Sequence, residues 1–203
     1  MAKRDEQLVR TAAAAALICL IWLAGSMTAG RTMAFDEAVR AAVHSAATTG
    51  LTRFMQLVTL LGSQAVMIGL PLCAAAALFA RGDWRRATFM LIVWGGAEML
   101  EFGLKLLFHR PRPEAFFDTP LPQSFSFPSG HALLSLSVYG ALAWLAGGWP
   151  ARIAAIVLAL VIGASRVYLG VHYATDVIAG YLVGAVWLEA AAVLHRRIAT
   201  IKK

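Results

Sequence analysis

At 203 residues, with 60% hydrophobic and 14% charged side chains and a mean hydropathy of +0.69, the chain is far more apolar than an ordinary soluble domain, where about 45–50% is typical. Most of it belongs in lipid. The net charge of +7 does not indicate nucleic acid as a partner, because the basic residues gather at the ends of apolar runs, with no basic stripe and no soluble nucleic-acid module.

Six apolar runs of nearly the ~20 residues needed to cross a hydrocarbon core predict six transmembrane helices in one domain spanning residues 1–203. The first covers Thr11 to Ala29. Arg4, this run and Ser26-Met27-Thr28-Ala29 also fit a cleaved signal peptide, against which Asp5-Glu6 stand as acidic residues in the n-region. The connector Gly30 to Gln56 holds Phe35-Asp36-Glu37-Ala38-Val39-Arg40-Ala41-Ala42-Val43, whose apolar residues recur at helical spacing. It reads as a helix along the outer surface, either a simple connector or a lid over a lipid-access path.

The second span is Leu57 to Ala80 and the third Ala87 to Phe108. Cys19 and Cys73 fall inside spans and read as packing residues, with no disulfide or zinc pattern. The third span carries Glu98, Glu101 and Lys105, with Glu101 four residues before Lys105 on one helix face and expected to pair with it or with another cation. Pro111, Pro113, Pro120, Pro122 and Pro128 then exclude a continuous helix between His109 and Gly130. A long loop results, read as a structured cover. The last three spans are His131 to Gly147, Ile153 to Leu169 and Thr175 to Leu194.

Orientation follows from Lys and Arg, which concentrate in cytoplasmic loops. With the N-terminus inside, the cytoplasmic set is Lys3, Arg4, Arg10, Arg81, Arg85, Arg86, Arg152, Arg196, Arg197, Lys202 and Lys203. The other side holds Arg31, Arg40, Arg53, Lys105, Arg110, Arg112 and Arg166. Setting aside Lys105, Arg112 and Arg166, which belong to the motifs below, leaves eleven against four. Both termini are thus expected in the cytoplasm, with the motifs at the outer face.

Three short patterns carry chemistry: Lys105-x6-Arg112-Pro113, Pro128-Ser129-Gly130-His131 and Ser165-Arg166-x5-His172-x3-Asp176. Lys105 in the last helical turn and Arg112 in the loop can converge on one anion, Arg as a fork and Lys as a point charge. Pro128 to His131 lies where a loop enters a helix, so free N–H groups and the helix dipole form an anion site. Gly130 permits close backbone approach, Ser129 adds a hydroxyl donor, and His131 faces the anion. Arg166 is a third cation. Asp176, four residues after His172, can accept from the imidazole Nδ1–H and leave Nε2 with the lone pair. His44, His109 and His195 match no pattern and receive no catalytic role. Cys/His zinc spacing and a two-metal carboxylate cluster are both absent from the sequence pattern, so no cofactor is expected.

Together the patterns resemble the type 2 phosphatidic acid phosphatase family, within a superfamily shared with vanadium haloperoxidases, and all three of its motifs are matched without departure. The resemblance covers residues Glu98 to Asp176; the rest agrees only in hydrophobic layout. It implies an all-α, six-helix integral membrane bundle and a metal-independent lipid phosphatase acting on phosphomonoester or pyrophosphate head groups. In that scheme His172 attacks phosphorus to form a phosphohistidine, Asp176 orients it, and His131 protonates the departing oxygen and then activates water. Lys105, Arg112, Arg166, Ser129 and the Gly130 N–H bind the phosphoryl oxygens.

The expected partners are membrane lipids and a lipid phosphate substrate: undecaprenyl pyrophosphate, phosphatidylglycerol phosphate or phosphatidic acid. The expected location is a bacterial-type inner membrane, with the site facing the extracytoplasmic side. Two alternatives from other classes are a transporter, against which the charges cluster at one face instead of along a midplane path, and a catalytically inactive lipid-binding member.

Overall fold

The computed structural model describes residues 3–201, and side chains for residues 11–197. Among the orientation charges, Lys3, Arg4, Arg10, Lys202 and Lys203 lie outside the described side chains, as do Asp5 and Glu6. The described residues form eight helices and no strand: α1 (Lys3–Thr28), α2 (Met33–Ser45), α3 (Thr49–Leu60), α4 (Gln64–Ala80), α5 (Trp84–Phe108), α6 (Gly130–Ala146), α7 (Trp149–Tyr168) and α8 (Ala174–Ile201).

Three of these helices contain stretches long and apolar enough to cross a bilayer: Thr11–Thr28, Trp149–Tyr168 and Ala174–Arg197. The single helix expected over Leu57 to Ala80 is instead two. The chain breaks between α3 and α4 and bends by 44°, so the pair passes the same test only when taken together. Gly62-Ser63 supply the break, and Ser63 enters α4 with an extended backbone, φ −65° and ψ 155°. At 17 residues, α6 is short for a span. Exposed apolar side chains such as Ile18 and Trp22 on α1, Phe102 and Leu107 on α5, and Val157 on α7 form the surface expected of a chain solvated by lipid.

Local chemistry fixes the helix ends. The Asp83 carboxylate accepts from the Arg86 N–H at 3.2 Å, capping a free donor at the start of α5. That helix stops at His109, whose left-handed backbone (φ 47°) lets its N–H close back on the Lys105 carbonyl. Pro111 and Pro113 follow and keep the loop extended. Pro128 lies one residue before the Ser129 N-cap of α6.

The hub is α6, packed against α5, α7 and α8. Its approach to α8 depends on two glycines one turn apart, since a Cβ at Gly180 would lie 2.6 Å from the Ser129 carbonyl and one at Gly184 2.8 Å from that of Leu133. Small residues at four-residue spacing let helix backbones meet closely. On the other flank, Phe89, Met90 and Val93 of α5 pack with Met67 of α4 and Leu133 and Val138 of α6 in a dry core. Cys19 and Cys73 are exposed free thiols. They face outward from the bundle, which corrects their reading as packing residues.

Candidate active site

One end of the bundle holds a cavity of about 380 Å³, walled by Lys105, Arg112, Gly130, His131, Arg166 and His172. These come from α5, the 109–129 loop, α6, α7 and the α7–α8 connection, so six of the eight residues singled out in the sequence meet around one space. The other two, Ser129 and Asp176, lie behind the wall. Ser129 is fully buried, its N–H donates to the Asp176 carbonyl at 3.0 Å, and its hydroxyl oxygen has no partner among the described residues.

The tautomer of His172 follows from its neighbours. Arg112 Nη1 lies 3.0 Å from His172 Nε2, and a guanidinium can only donate, so Nε2 carries the lone pair and Nδ1 the proton. Nδ1 then donates to Asp176 Oδ2 at 3.3 Å. That same oxygen accepts from the Tyr173 N–H at 2.9 Å and from the Ser126 hydroxyl. Burial pushes the His172 imidazole well below its ordinary pKa; Asp176 pulls the other way, and Arg112 and Arg166 add to the depression. The ring is therefore neutral near pH 7, as a nucleophile requires.

The cations differ in how they are occupied. The Lys105 ammonium donates to the Ser124 hydroxyl at 3.2 Å and the Phe125 carbonyl at 2.9 Å, and pairs with Glu101 at 3.3 Å, as the spacing predicts. Arg112 donates to the Ser124 carbonyl at 2.8 Å, the Ser124 hydroxyl at 3.1 Å and the Phe125 carbonyl at 3.3 Å. It also reaches the Val171 carbonyl at 2.8 Å. Among the described residues Arg166 has one side-chain partner, the Thr59 hydroxyl at 2.7 Å, and its buried Nε–H has none. That leaves unmatched donors on a residue that walls the cavity. Burial also pushes the Arg112 guanidinium below its ordinary pKa, opposed by Asp176 and Glu101.

The remaining wall includes the α3–α4 break, the proline-rich loop and the two glutamates of α5. Gly62 and Gln64 from the α3–α4 break reach the cavity, and a Cβ at Gly62 would lie 2.8 Å from the His131 ring. The break thus brings a corner of backbone onto that histidine. Ser124 and Pro122 confirm that the proline-rich loop covers the site. Glu98 and Glu101 also line it, and the Glu101 carboxylate packs so closely on Gly130 that a Cβ there would have to displace it. Behind the wall, Arg110 binds Asp176, a contact no motif position had indicated. The only signal was an arginine two residues before Arg112.

A wall that presents guanidinium donors, a helix N-terminus and an oriented neutral imidazole to one small cavity suits a tetrahedral oxyanion; the molecule is a phosphatase built into a helical bundle. Residues 84–199 match the PAP2 superfamily, and the chain belongs to it. It is 33% identical over 171 residues to phosphatidylglycerophosphatase B of Bacillus subtilis (strain 168), covering 80% of this chain and 84% of that protein. An undecaprenyl-diphosphatase of Sulfolobus acidocaldarius is 39% identical over 84 residues, 41% of this chain and 40% of the relative. The crystal structure of a transmembrane PAP2-type phosphatidylglycerolphosphate phosphatase from Bacillus subtilis superposes with a TM-score of 0.83 at 30% identity, covering 92% of this chain and 96% of that one.

Proposed function

We propose that this chain is a metal-independent lipid phosphatase that removes the terminal phosphate of phosphatidylglycerol phosphate or a closely related lipid. The observation that carries the reading is the line Arg112–His172–Asp176, which leaves the lone pair on Nε2 of a ring in the cavity wall. The substrate preference rests on the Bacillus relative, to which most of this chain aligns. Undecaprenyl pyrophosphate is the second substrate class, favoured by the Sulfolobus relative.

The chemistry proceeds in two displacements. As the phosphate arrives, Arg112 exchanges Nε2 for a phosphoryl oxygen, and Nε2 attacks phosphorus while Asp176 stabilises the charge growing on the ring. The bond from phosphorus to the leaving oxygen breaks, and His131 supplies the proton that oxygen needs. His131 then takes a proton from water, whose oxygen attacks the phosphohistidine and releases inorganic phosphate. Lys105, Arg112 and Arg166, with the Gly130 N–H at the α6 N-terminus, hold the phosphoryl oxygens throughout.

In this reading residues 1–203 form one domain that crosses the membrane six times, with α5 and the short α6 completing the set. Both termini face the cytoplasm and the cavity faces outward, in agreement with the Lys and Arg distribution. The test is phosphate release by detergent-purified protein across these lipids with EDTA present, comparing the parent with His172→Ala. Turnover by the parent and a loss of about 10³-fold or more in the variant support the proposal. Undiminished turnover by His172→Ala sinks it.

A further inference from the structure

Arg110 matches none of the motif positions, yet it is 6% exposed and lies among groups that water barely reaches: Asp36 and Asp176 at 0% and Thr175 at 2%. Its Nη1 donates to Asp176 Oδ1 at 2.6 Å and to the Thr175 hydroxyl at 2.8 Å. Its Nη2 donates to Asp36 Oδ2 at 2.8 Å. Asp36, on α2, also accepts from the Thr175 N–H at 3.0 Å and from its hydroxyl at 2.7 Å. The guanidinium lies over the Tyr173 ring, 4.1 Å from its centroid. None of Asp36, Arg110 and Thr175 walls the phosphate cavity.

A buried guanidinium between two buried carboxylates is expensive to desolvate and is weak evidence of stabilisation in itself. What the cluster does supply is geometry. It divides the oxygens of Asp176: Oδ1 is taken by Arg110, so the carboxylate cannot rotate, and Oδ2 is presented to His172 Nδ1. Arg110 is in turn held by a residue 74 positions earlier in the chain, which ties the orientation of the imidazole to α2.

We infer that Asp36 and Arg110 are positioning residues for the His172–Asp176 pair, acting from behind the cavity without touching the substrate. This rests on His172 being the nucleophile. The charged and titratable groups around that ring are Asp176 from α8, Arg166 from α7, His131 from α6, Arg112 and Arg110 from the loop, Lys105 and Glu101 from α5, and Asp36 from α2. Removing one charge from the back cluster therefore moves the protonation of His172 in a direction fixed by that charge.

The experiment measures kcat, KM and the acid limb of kcat/KM for the parent, Asp36→Asn, Arg110→Gln, Thr175→Val and His172→Ala, with folding followed by thermal denaturation in detergent. Asp36→Asn should lower kcat about 10- to 100-fold, the range for groups that orient an active-site histidine from behind, with KM changed less than about twofold. Loss of a negative charge should move its acid limb to lower pH, because it disfavours the imidazolium. Arg110→Gln removes a positive charge and should move the limb to higher pH. A merely structural contact would lower the active fraction and leave the limb in place.

Parent-like kcat and an unmoved limb in Asp36→Asn overturn the inference, as do shifts of the same sign in the two variants. Where Arg110→Gln does not fold, Asp36→Asn and the nearly isosteric, charge-neutral Thr175→Val decide alone: a parent-like kcat in whichever of them folds overturns the inference, and in Asp36→Asn so does an unmoved limb. An inactive His172→Ala beside a parent-like Asp36→Asn defeats this inference alone. An active His172→Ala defeats the proposed function.

Discussion

The two sides of the His172 ring are built on opposite terms. Behind it, Asp176, Arg110, Asp36 and Thr175 are almost fully buried, and bonded to one another at 2.6 to 3.0 Å. In front, Lys105 and Arg112 rest on the Ser124 and Phe125 backbone and on the Ser124 hydroxyl, while Arg166 holds one threonine and keeps a buried donor unmatched. The back is finished without a ligand and the front is not. Preorganisation lowers the cost of reaction where the geometry of a reacting group is fixed in advance, whereas a binding wall must exchange its resting partners for the incoming anion.

The sharpest way to break this comparison is to remove the front cation with the fewest resting partners. Arg166→Ala should lower kcat/KM by about 10²–10³-fold, the effect of deleting one donor aimed at a transition-state oxyanion. Stability should change little, because one hydrogen bond to Thr59 is worth about 1 kcal/mol. Phosphate-release kinetics and thermal denaturation read the two quantities separately. A large stability loss with near-parent kcat/KM would place Arg166 with the structural back and dissolve the distinction.

The join between the two sides is the α6–α8 contact, because Ser129 N donates to the Asp176 carbonyl and Gly180 lies under the Ser129 carbonyl. Gly180→Ala puts a Cβ 2.6 Å from that oxygen, against backbone that cannot swing aside. Overpacking of this kind costs about 1–3 kcal/mol, so the melting temperature should fall. Because the strain bears on the turn carrying Gly130 and His131, kcat should fall as well. Gly25→Ala, on α1 with no atom within 4 Å of the added Cβ, is the control and should match the parent in both measurements.

Much of the front was legible in the sequence because its residues keep fixed spacings within or beside one helix. Lys105 in the last turn of α5, Glu101 one turn earlier, and His172 with Asp176 four residues on are all local relations, set by the helical repeat in α5 and by the short turn that leads into α8. Of the back, only Asp176 was legible. Asp36 and Arg110 are 74 residues apart, and Asp36 looked like one more polar residue on an amphipathic helix. Its burial depends on α2 packing against α7 and α8, which periodicity does not report. The α3–α4 break was missed for a related reason. Gly62 inside an apolar run reads as continuous span by hydropathy, and hydropathy does not report that Ile162 and the His131 ring leave no room for a side chain there.

The smallest expected effect tests whether the front really exchanges partners. The Ser124 hydroxyl accepts from both Lys105 at 3.2 Å and Arg112 at 3.1 Å, so it occupies donors that the proposed mechanism assigns to phosphate. Ser124→Ala deletes that oxygen without touching the Ser124 and Phe125 carbonyls that also hold the cations. Two donors are then left short of a partner in the resting enzyme, and a bound phosphate recovers them. A net hydrogen bond is worth about 0.5–1.5 kcal/mol, so KM should fall by about 2- to 10-fold while kcat stays near the parent. Were the serine instead part of the bound-state wall, its loss would raise KM, and the sign of the change in steady-state phosphate release separates a placeholder from a ligand.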